Sequence, residues 1–569
     1  MLATFLCAAP ILAAPAQAAG DLPERIALRE VLRQEARASA AGVVPLPLPE
    51  ASRATASSVS HELASIARND GPQRVLIGAR AHGDTAALAA TLRRLGAKPQ
   101  VFESIGVVAA SVPSGAALVA RLGNDRRVDY IERDSELRVA ADPFDVVDPQ
   151  TGVKFTWAYD GVRATEALVA AGGGSGRTIA VIDTGLDVTH PEFVGRVERT
   201  FDVASGGADV TDFPGHGTFV SGLIAAVDGN GLGGKGVAGA TRMIVVRAST
   251  RLELYLADVI RGIEFSVARD ADVLNLSLAG RIFTQSEARA LDSAFINDVL
   301  PVAGSGNGAE NGNPVEFPAA ALGGSRGGRG IGLSVSATKP DGSIGAFSTH
   351  NDFVSLAAPG ASQSGCSFGV FSTLPPVAND WDDPQRSCSN TFLGGSARYA
   401  YGQGTSFSAP IAAGIAALTW HVEPRLASEQ VADVLVRSAR QTLGTGWNEF
   451  TGSGVVDGFA ATELARTYDV RAPRVRATAS RRGGASIAVR LRSSKDRTEP
   501  GRELAGGVTY GLLISRDGGR NFSTLVRQRR RPFSRTIRIQ GSRANVLVAA
   551  VSDANGNFDI KRLGRFSAR

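Results

Sequence analysis

Three polar residues, each set among glycines, carry the chemistry this chain could do. Asp183 closes Val181-Ile182-Asp183-Thr184-Gly185, His216 lies in Gly215-His216-Gly217-Thr218, and Ser406 lies in Gly404-Thr405-Ser406-Phe407-Ser408-Ala409-Pro410. An isolated serine hydroxyl is a poor nucleophile at neutral pH; it needs a base to take its proton and a carboxylate to hold that base in one tautomer. A fourth residue, Asn307 in Ala303-Gly304-Ser305-Gly306-Asn307-Gly308, could donate its amide to a developing oxyanion. Alone, each has a plainer reading: Asp183 and Ser406 as helix or turn caps, His216 as a residue at a helix start, Asn307 as a turn residue. Coincidence would have to supply all of them together, in one order.

That order, Asp then His then Ser, resembles the subtilisin-type serine endopeptidases, for which it is the known order. The resemblance implies that Asp183 orients His216, His216 acts as general base, Ser406 is the nucleophile, and Asn307 with the Ser406 N–H forms the oxyanion site. In subtilisin itself the loss of the matching Asn costs about 3 kcal/mol. It also implies a substrate bound as an added strand, between a wall formed by Ser277, Leu278, Ala279 and Gly280 and another formed by Gly304, Ser305 and Gly306. Ala279 stands where relatives carry Gly, and Phe407 where they commonly carry Met. Glu192 and Asn230 stand near the family's calcium ligands, so structural calcium is a candidate, with no cofactor required for the chemistry.

The rest of the pattern supplies elements to hold these residues. A strand at 74–78, a helix at 84–95, extended segments at 101–102 and 105–112, a helix at 117–122 and a strand at 128–134 follow the ferredoxin-like order. This resembles the propeptide that subtilisin relatives use as chaperone and temporary inhibitor, which implies a junction between Leu137 and Asp142. From 155 to 465 apolar strands (178–183, 273–278, 332–337) alternate with helices (219–227, 254–268, 408–420), the pattern of a mostly parallel sheet covered on both faces. Ligands gather at the carboxyl ends of such strands, where Asp183 falls. After 470 the helical period stops; strands at 486–491, 507–515, 534–539 and 545–552 predict a small all-β sandwich.

The expected organisation is a signal peptide (1–18), a helical segment and linker (19–72), a propeptide domain (73–140), a subtilisin-like peptidase domain (141–468) and a basic β-sandwich (469–569). A length of 569 residues calls for several folding units. With 43% hydrophobic and 20% charged residues, and no apolar run of about 18, the composition points away from a membrane-spanning protein. The apolar start leads to Ala16-Gln17-Ala18, a small-x-small cleavage pattern, although no Lys or Arg precedes it. Secretion follows from that reading. Cys366 and Cys388 would then pair in an oxidising compartment, closing a loop worth about 3 kcal/mol; two free thiols are the alternative.

Charge is uneven: residues 471–569 hold 23 Lys+Arg against 6 Asp+Glu, leaving 38 against 49 before them. The basic part could hold an anionic cell-surface polymer or simply be a solvated face; nucleic acid is the weaker reading, because no recognised binding motif accompanies the charge. Protein or peptide substrates and the chain's own propeptide are the expected partners. The rival is a catalytically inert protein of the same fold that binds through this basic domain, and the presence of all four chemical groups argues against it.

Overall fold

The computed structural model describes residues 64–68, 71–139, 157–228, 230, 232, 235–362, 369–382, 392–394, 397–492, 502, 508–516, 523–529, 533–539 and 545–568. The expected signal, residues 19–63 of the helical segment and linker, and both Cys366 and Cys388 lie outside them. The chain divides into two compact units, the change falling between Val470 and Arg471.

In the larger unit, the first elements are a strand Gln73–Ala79, a helix Thr85–Arg94, strands Gln100–Phe102 and Val107–Val112, a helix Gly115–Leu122 and a strand Val128–Arg133. The four strands pair antiparallel, with Val107–Val112 and Val128–Arg133 flanking Gln73–Ala79, the ferredoxin-like arrangement. Strand residues alternate between faces. Val75, Ile77, Val108 and Ile131 bury against Leu88, Leu92, Leu118 and Leu122 of the two helices. Leu76, Phe102, Val107 and Ala109 instead share a core with Leu256, Ile260 and Leu291 of the part that follows.

That docking is also polar. The Glu132 carboxylate accepts from the backbone N–H groups of Ser286 (3.2 Å) and Gln285 (3.3 Å), at the start of helix Gln285–Ile296. Asp134 accepts from the Ala257 N–H (2.9 Å) at the start of helix Leu256–Val267. Each carboxylate thus satisfies donors that a helix start leaves open, at its positive dipole end.

Seven strands form the central sheet, all parallel, in the order Leu356–Pro359, Leu333–Thr338, Leu300–Gly304, Val273–Leu276, Thr178–Asp183, Arg242–Arg247, Val197–Asp202. Ile179 and Val181 bury on one face, Ala180 and Ile182 on the other. This is why 178–183 reads as a continuous apolar run. From Thr178–Asp183 the chain builds outward to one side and later, from Val273–Leu276, to the other. The order reverses between these two strands, and a crevice opens at their carboxyl ends.

The smaller unit is all-β: a three-stranded antiparallel sheet (Ala477–Gly483, Ser486–Leu491, Ser534–Arg538) and a four-stranded one (Ser523–Arg529, Thr509–Ser515, Asn545–Ser552, Phe558–Phe566). Ile487, Val489 and Leu491 of the first share a core with Tyr510, Leu512, Leu547 and Ala549 of the second. The result is a sandwich. Three of its strands, 477–483, 523–529 and 558–566, escape sequence reading because they are Arg-rich or edge strands without clean apolar alternation.

Candidate active site

The crevice collects the four residues from two strand ends and two helix starts. Asp183 is the last residue of Thr178–Asp183, Asn307 follows Leu300–Gly304, His216 opens helix His216–Ala225, and Ser406 lies in the first turn of helix Thr405–Val422. Asp183, His216 and Ser406 are all buried.

His216 Nδ1 lies 2.8 Å from Asp183 Oδ1. With a carboxylate as partner, Nδ1 carries the proton and Nε2 is left as the basic nitrogen. That Nε2 has no hydrogen-bond partner among the described residues. Close approach of the two segments depends on Gly217: a Cβ there would sit 2.2 Å from the Gly185 carbonyl oxygen.

Ser406 is held by its carbonyl as much as by its helix. Pro410, four residues on, has no N–H, so the Ser406 carbonyl lacks its helical donor. The Ser277 hydroxyl replaces it at 2.7 Å, while Asn275 donates to Ser277 Oγ at 2.9 Å. The Ser406 hydroxyl donates to the Ser277 carbonyl at 3.4 Å, a long and weak bond. It does not reach His216 Nε2 in this state.

Asn307 is oriented from the other side. Its Oδ1 accepts from Thr405 N (3.0 Å) and Thr405 Oγ1 (3.1 Å). Both bonds fix the oxygen end of the carboxamide and so set its orientation.

Two residues that sequence reading passed over complete the frame. Thr405, besides holding Asn307, accepts from the Gly306 N–H at 3.1 Å. Asp212, fully buried, accepts from Thr218 N and Oγ1 (both 2.7 Å), Gly215 N (2.9 Å) and Thr184 Oγ1 (2.8 Å). It thereby ties the segment after Asp183 to both sides of His216. Burial pushes its carboxyl up, against the pull of those donors. The signal was present: an Asp four residues before the His, with Thr two residues after it. Asp212→Ala should strand four buried donors and cost about 2–4 kcal/mol of stability. Chemical denaturation would read it, and an unchanged midpoint would show the network to be idle.

One of the two expected substrate walls lies in a strand. Leu278–Ala279 and Glu253–Tyr255 flank Glu136–Val139 in a three-stranded antiparallel sheet, with Val139 opposite Leu278, Arg138 opposite Ala279 and Leu137 opposite Leu254. The segment after the ferredoxin-like unit therefore lies across the crevice as an added strand. Gly280 pairs with Phe317, and Ser305 Oγ donates to the Thr349 carbonyl at 2.7 Å.

Glu192 and Asn230 also meet, but not as a calcium cage. Glu192 accepts from Asn230 Nδ2 and from the Tyr399 hydroxyl, both at 2.8 Å, and Asn230 Oδ1 accepts from Leu232 N. A hard cation needs oxygens turned toward it, whereas this pair turns an NH2 and an O–H toward the carboxylate. These residues do not fit the ion.

The model of the Subtilase family matches residues 174–454. The thermophilic serine proteinase of Bacillus sp. (strain AK1) is 31% identical over 325 residues, covering 56% of this chain and 70% of that one. The chain belongs to the subtilase family. It is a serine endopeptidase, a hydrolase of subtilisin type. The minor extracellular protease Epr of Bacillus subtilis is 27% identical over 63% of this chain and 51% of its own. The crystal structure of fervidolysin from Fervidobacterium pennivorans, described as a keratinolytic enzyme related to subtilisin, shares the fold with a TM-score of 0.56. It does so at 17% identity, covering 88% of this chain and 92% of that one. Among subtilases the mostly parallel sheet with helices on both faces is the shared architecture, and this chain has it.

Proposed function

We propose that the chain is a secreted, self-processing subtilase in which Asp183, His216 and Ser406 form the catalytic triad and Asn307 the side-chain half of the oxyanion site. What carries this reading is the buried Asp183–His216 hydrogen bond, which leaves a basic Nε2 in the crevice that Ser406 enters from its helix start. To react, the serine hydroxyl gives up its weak bond to Ser277. His216 Nε2 takes its proton as Oγ attacks the scissile carbonyl carbon. The carbonyl oxygen, now negative, receives Asn307 Nδ2–H and the Ser406 N–H. His216 then protonates the leaving amine, and a water activated by the same nitrogen releases the acyl group.

The first substrate is the chain itself. The last described residue of the added strand, Val139, stands opposite Leu278, next to Ser277, whose side chain holds the Ser406 carbonyl. The scissile bond would then be Ala140–Ala141. A fluorophosphonate probe should label the matured protein once, on the peptide containing Ser406, and the new N-terminus should be Ala141. A folded, matured protein that takes no label would contradict the reading. Secretion is supported by the Ala16-Gln17-Ala18 pattern, and no described helix is long and apolar enough to cross a membrane. For the C-terminal sandwich we infer an anionic polymer as partner, from its charge excess and the exposed Arg490, Arg535, Arg538 and Lys561.

Release of the cut segment should depend on pH. Glu132 and Asp134, on the segment to be removed, lie against Glu287 and Asp258 of the two capped helices, with Arg74 bridging Asp134 (2.7 Å) and Asp258 (3.6 Å). Arg289 pairs with Asp129 at 3.1 Å at the same face. Burial, with the Glu132 charge adding, pushes Glu287 up to about 8; burial, opposed by Arg74 and helped by Asp134, pushes Asp258 up to about 6; burial also raises Asp134. Raised carboxyls favour the protonated state, so docking takes up protons: it is strongest below the ordinary carboxyl range and weakens as pH climbs through about 6 and then 8. The lag between cleavage and appearance of activity should be shorter at pH 8.5 than at pH 5.5. A lag that lengthens with pH would reverse the assignment.

A further inference from the structure

Glu316 occupies the gap between the two substrate walls. On one side its chain neighbour Phe317 exchanges both backbone hydrogen bonds with Gly280, at 2.8 Å each, at the end of the wall that pairs with Arg138–Val139. On the other side its carboxylate lies against both neighbours of Asn307. Gly308 N–H donates to Glu316 Oε2 at 3.2 Å, and a Cβ on Gly306 would stand 1.9 Å from that same oxygen. Gly306 also has φ +112°, so backbone and space together demand glycine there. Thr349 Oγ1 fixes Oε2 further at 2.5 Å. The side chain is half-buried, and the ring of its chain neighbour Phe317 stacks on Phe283, centroids 5.0 Å apart.

The reacting carbonyl must sit between Ser406 and Asn307, so the side chain of the residue that carries it enters beside Gly306. The carboxylate meets it there. We propose that Glu316 selects substrates with Lys or Arg immediately before the scissile bond, its carboxylate receiving the cationic head while the aliphatic stem lies along Phe317. The inference rests on Ser406 being the nucleophile. A charge-assisted hydrogen bond in a half-buried site gives roughly 10–100-fold over a neutral side chain of equal length, and an acidic side chain is repelled. The chain's own Ala140 is small and uncharged; being tethered in place, it does not depend on this contact.

The test uses the matured full-length protein and peptides that differ only in the residue before the scissile bond: Arg, Lys, Met and Glu. The expected kcat/KM for Arg or Lys exceeds that for Met by 10–100-fold, with Glu lowest, and the ratio falls as salt rises. Glu316→Gln should bring the Arg-to-Met ratio close to one. A wild type that prefers Met to Arg overturns the inference, as does a ratio that survives in the variant. If the variant does not fold, the wild-type ratio and its salt dependence decide. Fluorophosphonate labelling separates the two readings: a labelled enzyme without basic preference overturns this inference alone, while an unlabelled, inactive one overturns the triad and the inference with it.

Discussion

Asp183→Asn should lower kcat by about 10^4-fold while leaving KM close to that of the wild type. The carboxylate accepts the His216 Nδ1 proton at 2.8 Å and so keeps Nε2 basic. An amide of the same shape can present its NH2 to Nδ1, which moves the ring proton to Nε2, the nitrogen that must take the serine proton. The same change also removes the charge that stabilises the imidazolium formed during attack. Because such a variant would not mature itself, it must be cut in trans by the wild type before its kcat and KM are measured. A loss of less than tenfold would mean that Asp183 only supports the fold, in which case the variant should unfold earlier than it slows.

Asn307→Ala should cost about 10^2–10^3-fold in kcat, the range known for the matching residue of subtilisin itself. In this chain the geometry behind that expectation is the pair of bonds from Thr405 that fix the amide oxygen. Removing the carboxamide takes away the transition-state donor and leaves the Thr405 N–H and hydroxyl without their acceptor. The two effects separate by readout: the first appears in kcat with KM little changed, the second in thermal stability. Thr405→Val should therefore mimic part of the kcat loss by letting the Asn307 amide swing, and a variant with full kcat would show that the amide needs no such brace.

Much of this was legible in the residues because the chemistry itself is written in short segments. Asp183, His216, Ser406 and Asn307 each sit in a glycine-flanked motif, and the sheet that brings them together announces itself through apolar runs such as 178–183. What stayed hidden depends on contacts between distant segments. Glu316 reads as a loop residue until the Gly280–Phe317 pairing puts it in the crevice, and Asp212 reads as a turn residue until Thr184 and Thr218 are seen to converge on it. The apolar stretch 273–278 looks like one strand, yet the sheet strand ends at Leu276. Ser277 turns its hydroxyl to the Ser406 carbonyl, and Leu278–Ala279 pairs in a different sheet. The C-terminal strands were half-hidden because arginines replace the polar–apolar alternation that marks a strand.

The most direct test of the central claim is the intact mass of two precursors, wild type and Ser406→Ala, expressed from Gly20 onward and confirmed folded by circular dichroism. The account predicts that the wild type splits after Ala140 into an N-terminal segment and a matured enzyme, while the variant stays whole. Two folded precursors that both stay whole, or a variant that is cut at the same bond under the same purified conditions, would contradict it.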